Sequence, residues 1–210
     1  MLLLITQVVV ETGDSASSWV AAGATIGAAV VALIVALGFF QWLRRPQLKI
    51  TFEPIEPWCR TTNVVRNLAA GGTETKEGRW VRVRVENKGS QPARACLGKL
   101  TQVKTDGEPR ADLDPMQLRW AGVPDDKGFE AISLRRGQHE YLNLFLVLEE
   151  ADVEVVTFSN FAAGFRTQLE RNRSHWVQVD IFAENASPAK LALEMNYGGS
   201  FVNLDVAIAR

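Results

Sequence analysis

From residue 20 to residue 40 the chain reads VAAGATIGAAVVALIVALGFF, without a charge or a proline, and beyond residue 46 apolar and polar positions alternate in short runs. The two patterns predict two kinds of element. About 21 uncharged residues, apolar on every face, form a helix roughly 30 Å long, which matches the hydrocarbon core of a bilayer. Trp19 and Trp42 stand near its ends, where amphipathic rings favour the headgroup layer. The expectation is a short extracytoplasmic tail over 1–18, one N-terminal transmembrane α-helix over 19–43 and a single domain over 46–210. A cleaved signal peptide is the rival reading, but MLLLITQVVV lacks a basic n-region and the apolar run is too long for an h-region.

Proline at position 46 disfavours continuation of the helix, and QLKITFE (47–53) already alternates as a strand with one buried face. The polar, glycine-rich passage 63–78 reads as a long loop, part of a loop over 59–79. RWVRVRVEN (79–87) sets Val81, Val83 and Val85 against Arg82, Arg84 and Glu86. Further strands are expected over 93–104, 118–121, 129–134, 139–148, 153–158, 175–184, 190–197 and 201–208, with an irregular loop over 159–174. Short alternating strands punctuated by Gly, Asn, Asp and Pro turns predict a mainly β domain, an antiparallel sandwich.

Charge fixes an expected orientation. No Lys or Arg precedes the span, where only Glu11 and Asp14 carry charge, whereas Arg44, Arg45 and Lys49 follow it. By the positive-inside rule the tail lies outside and the domain faces the cytoplasm, in a single-pass protein of the cell membrane. The remaining charges nearly balance, with no basic stripe, so a nucleic-acid partner is not expected.

The blocks V-R-V-R-V-E-N-K-G-S-Q-P-A (81–93), S-L-R-R-G-Q (133–138) and W-V-Q-V-D-I-F-A-E-N (176–185) are similar, in order, to motifs of prokaryotic immunoglobulin-like modules of the CARDB and NEW3 type. The resemblance covers roughly residues 79 to 197. It implies an immunoglobulin-like β-sandwich and no site, and the insertion over 106–128 and the loop over 159–174 depart from it.

The chemistry of the chain is sparse. His139 and His175 both read as exposed or edge residues at strand starts. Cys59 and Cys96 have neither a C-x-x-C nor a histidine at ligand spacing, so no metal and no cofactor is expected, and no nucleophile or phosphate-cradling motif is present. In a reducing compartment both cysteines are free thiols; outside the cell a bridge between them is an alternative. In the span, Gly23 and Gly27 form a G-x-x-x-G that Ala24, Ala28 and Ala32 extend. Such a row lets two helices approach, which suggests a homodimer, although Gly and Ala are common in spans anyway. Trp58 beside Arg60, and Trp120 beside Arg119, have the composition of an interface hot spot. Either these four residues contribute to a partner surface or the two tryptophans plug the ends of the sandwich. The leading expectation is a non-enzymatic interaction or scaffolding module anchored in the lipid bilayer with a protein partner. An exported adhesin-like or carbohydrate-binding module is the alternative.

Overall fold

The structure, a computed structural model, describes residues 26–35, 38, 44–67, 71–110, 112, 115–124, 127–157 and 167–209. The chain divides into two units, Met1–Arg44 and Arg45–Arg210. In the first, residues 26–35 are helical, with Ile26, Val31, Leu33, Ile34 and Val35 exposed. The tail 1–18 and residues 19–25, 36–37 and 39–43 of the expected span lie outside the described residues. Among the described residues no helix is long and apolar enough to cross a membrane.

The second unit is two antiparallel sheets, as the alternation predicts. In the first sheet β1 (Leu48–Thr51), β3 (Thr73–Asn87), β9 (His139–Leu148), β10 (Val153–Val155) and β11 (Gln168–Leu169) lie in that order. β2 (Cys59–Asn67) pairs beside β3, and β7 (Arg119–Trp120) beside β9. The second sheet runs β14 (Leu204–Ile208), β13 (Ala186–Tyr197), β12 (Ser174–Ala183), β4 (Ala93–Thr105), β5 (Glu108–Pro109). Its β4 also carries β6 (Met116–Gln117) and β8 (Ile132–Leu134). One buried cluster draws on both sheets: Val81, Val83, Val85 and Phe145 from the first, Leu100, Val177, Val179 and Leu193 from the second. Leu142 of β9 packs over Gly98 of β4, a position at which a Cβ would fall on the leucine side chain.

Two expectations are corrected. The passage 59–79 is not a loop: Cys59–Asn67 pairs residue for residue with Thr73–Val81 as a long hairpin. Its strands alternate weakly because much of the hairpin has no buried face, Thr61, Asn63 and Val65 all being exposed. His175 is not an edge residue either; it is 0 % exposed, because it shares the inward parity of Val177 and Val179.

Two of the three motif blocks, 81–93 and 133–138, meet at one residue. Asn87 ends β3, is 0 % exposed, and fills all four hydrogen-bonding positions of its side-chain amide. Its Oδ1 accepts from the backbone N–H of Gln47 (3.2 Å) and of Gly89 (3.0 Å). Its Nδ2 donates to the carbonyls of Gln91 (2.7 Å) and Leu134 (3.0 Å). The Gly137 N–H donates to the Asn87 carbonyl at 2.8 Å, and the Asn87 N–H to that of Gln138 at 3.1 Å. The N-K-G turn and the R-G-Q turn are thus halves of one junction.

Candidate partner surface on the first sheet

In β3 the parity that buries Val81, Val83 and Val85 turns Trp80, Arg82, Arg84 and Glu86 to the opposite, outer face. Cross-strand register extends this face. Arg60 of β2 stands opposite Trp80, and Trp80 opposite Leu146 of β9. Asn143 of β9 stands opposite Arg82 on one side and opposite Arg119 of β7 on the other. Tyr141 stands opposite Arg84.

Trp58, just before β2, joins the same face. Its carbonyl accepts from the Arg82 N–H at 2.8 Å, and its ring meets that of Tyr141 edge-on with centroids 6.0 Å apart. The indole Nε1 of Trp58 is buried without a hydrogen-bond partner. The Arg82 guanidinium lies 5.7 Å from the centre of the Trp80 ring and donates through Nε to Asn143 Oδ1 at 2.8 Å. Burial, and then the like charge of Arg60, pull the Arg82 pKa below its ordinary value.

Further along the face the charges are compensated. Arg84 pairs with Glu86 at 3.2 Å and donates to His139 Nδ1 at 3.3 Å, and Lys88 pairs with Glu86 at 2.7 Å. The bond from Lys88 leads the effects that draw the Glu86 pKa down. Arg60 and Arg82 form no such ion pair among the described residues; Glu154 lies on the same cross-strand row, beyond Leu146.

Of the four residues named from sequence, three lie on this band: Trp58 half-buried, Arg60 exposed, Arg119 half-buried with its guanidinium donating to the Val123 carbonyl at 3.4 Å. Trp120 does not. It is 1 % exposed and part of the core, because the segment 116–120 crosses from the second sheet, where Met116 and Gln117 pair with β4, to the first, where Trp120 pairs with Leu142. Its ring closes the side of the sandwich and offers a partner nothing. Trp80, Arg82, Tyr141 and Asn143 were not singled out. The available signal was a tryptophan on the polar parity of the cleanest strand in the chain. Gly27, Ala28 and Ala32 lie on the described helix with exposed faces, and Gly23 and Ala24 lie outside the described residues.

A second polar cluster sits around His175. Its Nε2 faces the Glu170 carbonyl at 2.8 Å, which can only accept, so Nε2 carries the proton. Nδ1 then accepts from Thr105 Oγ1 at 3.0 Å, and Thr105 Oγ1 accepts from Arg110 Nη1 at 3.3 Å. Arg110 is held by Asp112 at 2.7 and 2.8 Å and by Glu170 at 2.7 Å. Beside it, Asp106 and Gly107, with φ of 50° and 86°, form the two-residue turn from β4 to β5, and Asp106 pairs with Arg173 at 2.5 Å. A polar cleft of about 290 Å³ opens here, lined by Glu108, Arg110, Asp112, Glu170 and Arg173. Its arginines already face carboxylates, so the cluster binds its own strands together. Cys59 and Cys96 are both free and buried. Burial raises both thiols, that of Cys96 to about 11, and at Cys59 the nearby Arg79 opposes the rise. No group of three or more His, Cys, Asp or Glu side chains that could hold a metal ion occurs among the described residues.

No family model matches the chain, and no curated protein or solved structure matches it.

Proposed function

We propose that the chain is a single-pass membrane protein whose immunoglobulin-like domain faces the cytoplasm and, without catalysing a reaction, docks a protein partner through the outer face of its first sheet. The anchor rests on the uncharged run 20–40 and the exposed apolar side chains of helix 26–35. Orientation rests on Arg44, Arg45 and Lys49 following a run that no basic residue precedes. The immunoglobulin-like reading draws on strand order. β3 pairs with β9 in one sheet while β4, β12 and β13 are successive neighbours in the other, as strands B, E and C, F, G are in such sandwiches. The CARDB and NEW3 resemblance adds motifs and no ligand.

The observation that carries the docking surface is the band of Trp58, Arg60, Trp80, Arg82 and Tyr141 on one sheet face. Trp, Tyr and Arg are the residues that most often dominate binding energy at interfaces. The second sheet differs: there Lys104 lies over Trp176 and Lys99 over Phe182, beside the buried acid Asp180.

The test places a photo-crosslinking amino acid at Thr62, two residues along β2 on the same face as Arg60, in the full chain in its native membrane, with Lys190 on β13 as the control. A discrete adduct from position 62 and none from position 190 is expected. Equal adducts from both, or none from either, would overturn the surface. Orientation is read separately with Thr73→Cys, at the exposed start of β3, because the native thiols are buried. A membrane-impermeant maleimide should react only after permeabilisation; reaction in intact cells would put the domain outside and favour an exported binding module.

A further inference from the structure

We infer that Arg60 and Arg82 form a carboxylate-reading site, and that the partner presents to it an aspartate or glutamate side chain next to an apolar residue that covers Trp80. The inference rests on the proposed docking face and names the chemistry of its partner.

Arg82 is prepared for such a ligand. Asn143 takes its Nε–H at 2.8 Å and the Trp80 ring lies 5.7 Å from its guanidinium carbon, so two sides of the fork are already held. The Nη1 and Nη2 edge has no acceptor among the described residues. That edge donates two parallel hydrogen bonds to one carboxylate, and an immobilised fork loses less entropy on binding than a free one. Arg60 stands one strand over, opposite Trp80, and no carboxylate pairs with it among the described residues. Two like charges held together on a half-buried face repel, and an incoming anion relieves that repulsion as well as making its own bonds. Neighbouring cations show the contrast, since Arg84 and Lys88 share Glu86.

A protein carboxylate fits better than a polyanion. Arg60 and Arg82 stand on one face with Trp58, Trp80 and Tyr141, and Glu86, paired with Arg84 and Lys88, cuts them off from a longer basic track. One ring against a cationic fork, with Trp58 and Tyr141 on the same face, matches an acidic side chain with an apolar neighbour.

The test uses the solubilised full chain and three probes: N-acetyl-Phe-Glu-amide, N-acetyl-Phe-Gln-amide and inorganic phosphate. The readout is the nuclear magnetic resonance signals of the Trp80 indole and the Arg82 Nε–H. The Phe-Glu probe should shift both signals saturably, with a Kd on the order of 1–10 mM for so small a ligand. Phe-Gln should bind at least about tenfold more weakly, the loss expected when a charge-assisted pair becomes neutral. Arg60→Gln, at an exposed position that folding does not need, should weaken Phe-Glu several-fold; Arg82→Gln should abolish its binding, and Lys190→Gln should leave it unchanged. Equal shifts from Phe-Gln, stronger binding of phosphate, or indifference to both arginine variants would each overturn the carboxylate assignment. The two readings fail separately. An adduct at position 62 that survives Arg82→Gln keeps the docking face and refutes the carboxylate site, whereas loss of any adduct in the unsubstituted chain refutes the face itself.

Discussion

The side-chain amide of Asn87 donates to the carbonyl of Leu134 at 3.0 Å, 47 residues further along the chain, and so ties the end of β3 to the end of β8. Together with its bonds to Gln47, Gly89 and Gln91, this makes Asn87 the point where hydrogen bonds hold three chain segments together. Gly89 is fixed by the same junction. A Cβ there would come within 2.5 Å of the Arg45 carbonyl and the Gln47 nitrogen, and backbone cannot yield as a side-chain tip does.

Replacing Asn87 leaves several buried backbone groups without partners, each costing about 1–3 kcal/mol. Asn87→Ala should therefore lower stability by roughly 3–5 kcal/mol, a large part of what a domain of this size has. Asn87→Asp should be nearly as damaging, because it loses both donors and introduces a charge at a fully buried position. Chemical denaturation of the solubilised chain checks this. A loss under about 1 kcal/mol in either variant would show that water takes over the amide's role.

Where β4 and β9 face each other, Gly98→Ala forces the Leu142 side chain out of its place. Overpacking of this kind costs typically about 1–3 kcal/mol. Leu142→Ala alone should cost about 2–5 kcal/mol by opening a cavity. The double variant should be more stable than the sum of the two losses implies, since the new methyl fills part of the space the leucine vacates. Strict additivity in the denaturation midpoints would mean the two side chains do not compete for that space.

Burial holds the His175 imidazole below its ordinary pKa, with Arg110 acting in the same direction and the carbonyl and carboxylate of Glu170, with Asp106, against it. As pH falls through about 6.5 the unfolded chain takes up a proton that the folded one refuses, so stability is fully present above that value and declines below it. The slope is at most about 1.4 kcal/mol per pH unit for one proton. Asp106 and Glu86, whose pKa values are lowered, release their contributions only at more acid pH. Thermal melts between pH 7.5 and 5 should show the decline in the native chain and a flatter profile in His175→Gln. Equal profiles would mean that the histidine titrates alike in both states.

Much of the sandwich was legible because a strand with one buried face must alternate. β9 (His139–Leu148) emerges at the expected bounds, and β1, β4 and β12 fall within a residue or two of theirs. β2 was missed because Thr61, Asn63 and Val65 face solvent from an edge, so nothing selects apolar residues there. His175 could have been placed by counting parity back from Val177, but residue type outweighed register. For the proposed docking face, residue type pointed to Trp58, Arg60 and Arg119, and only cross-strand register brings Arg82 and Tyr141 beside them. Pairing between strands far apart in sequence leaves no local trace, and for the same reason Trp120 could not be told from Trp58.

The two tryptophans now separate by experiment. Trp120 is 1 % exposed, and its removal should cost about 3–5 kcal/mol and leave the domain largely unfolded or its melting point far lower. Trp58 and Trp80 stand half-buried on an outer face, so alanine at either should lower stability by no more than about 1–2 kcal/mol. Their loss should appear instead as disappearance of the adduct formed from position 62, because the Trp80 ring lies against the Arg82 guanidinium and the Trp58 ring packs on Tyr141 of the same face. Melting curves and crosslinking on the same three variants divide the roles. If Trp120→Ala melts with the native chain, the inward placement of its ring is wrong. If Trp80→Ala unfolds the domain, that ring serves the fold and the surface loses its centre.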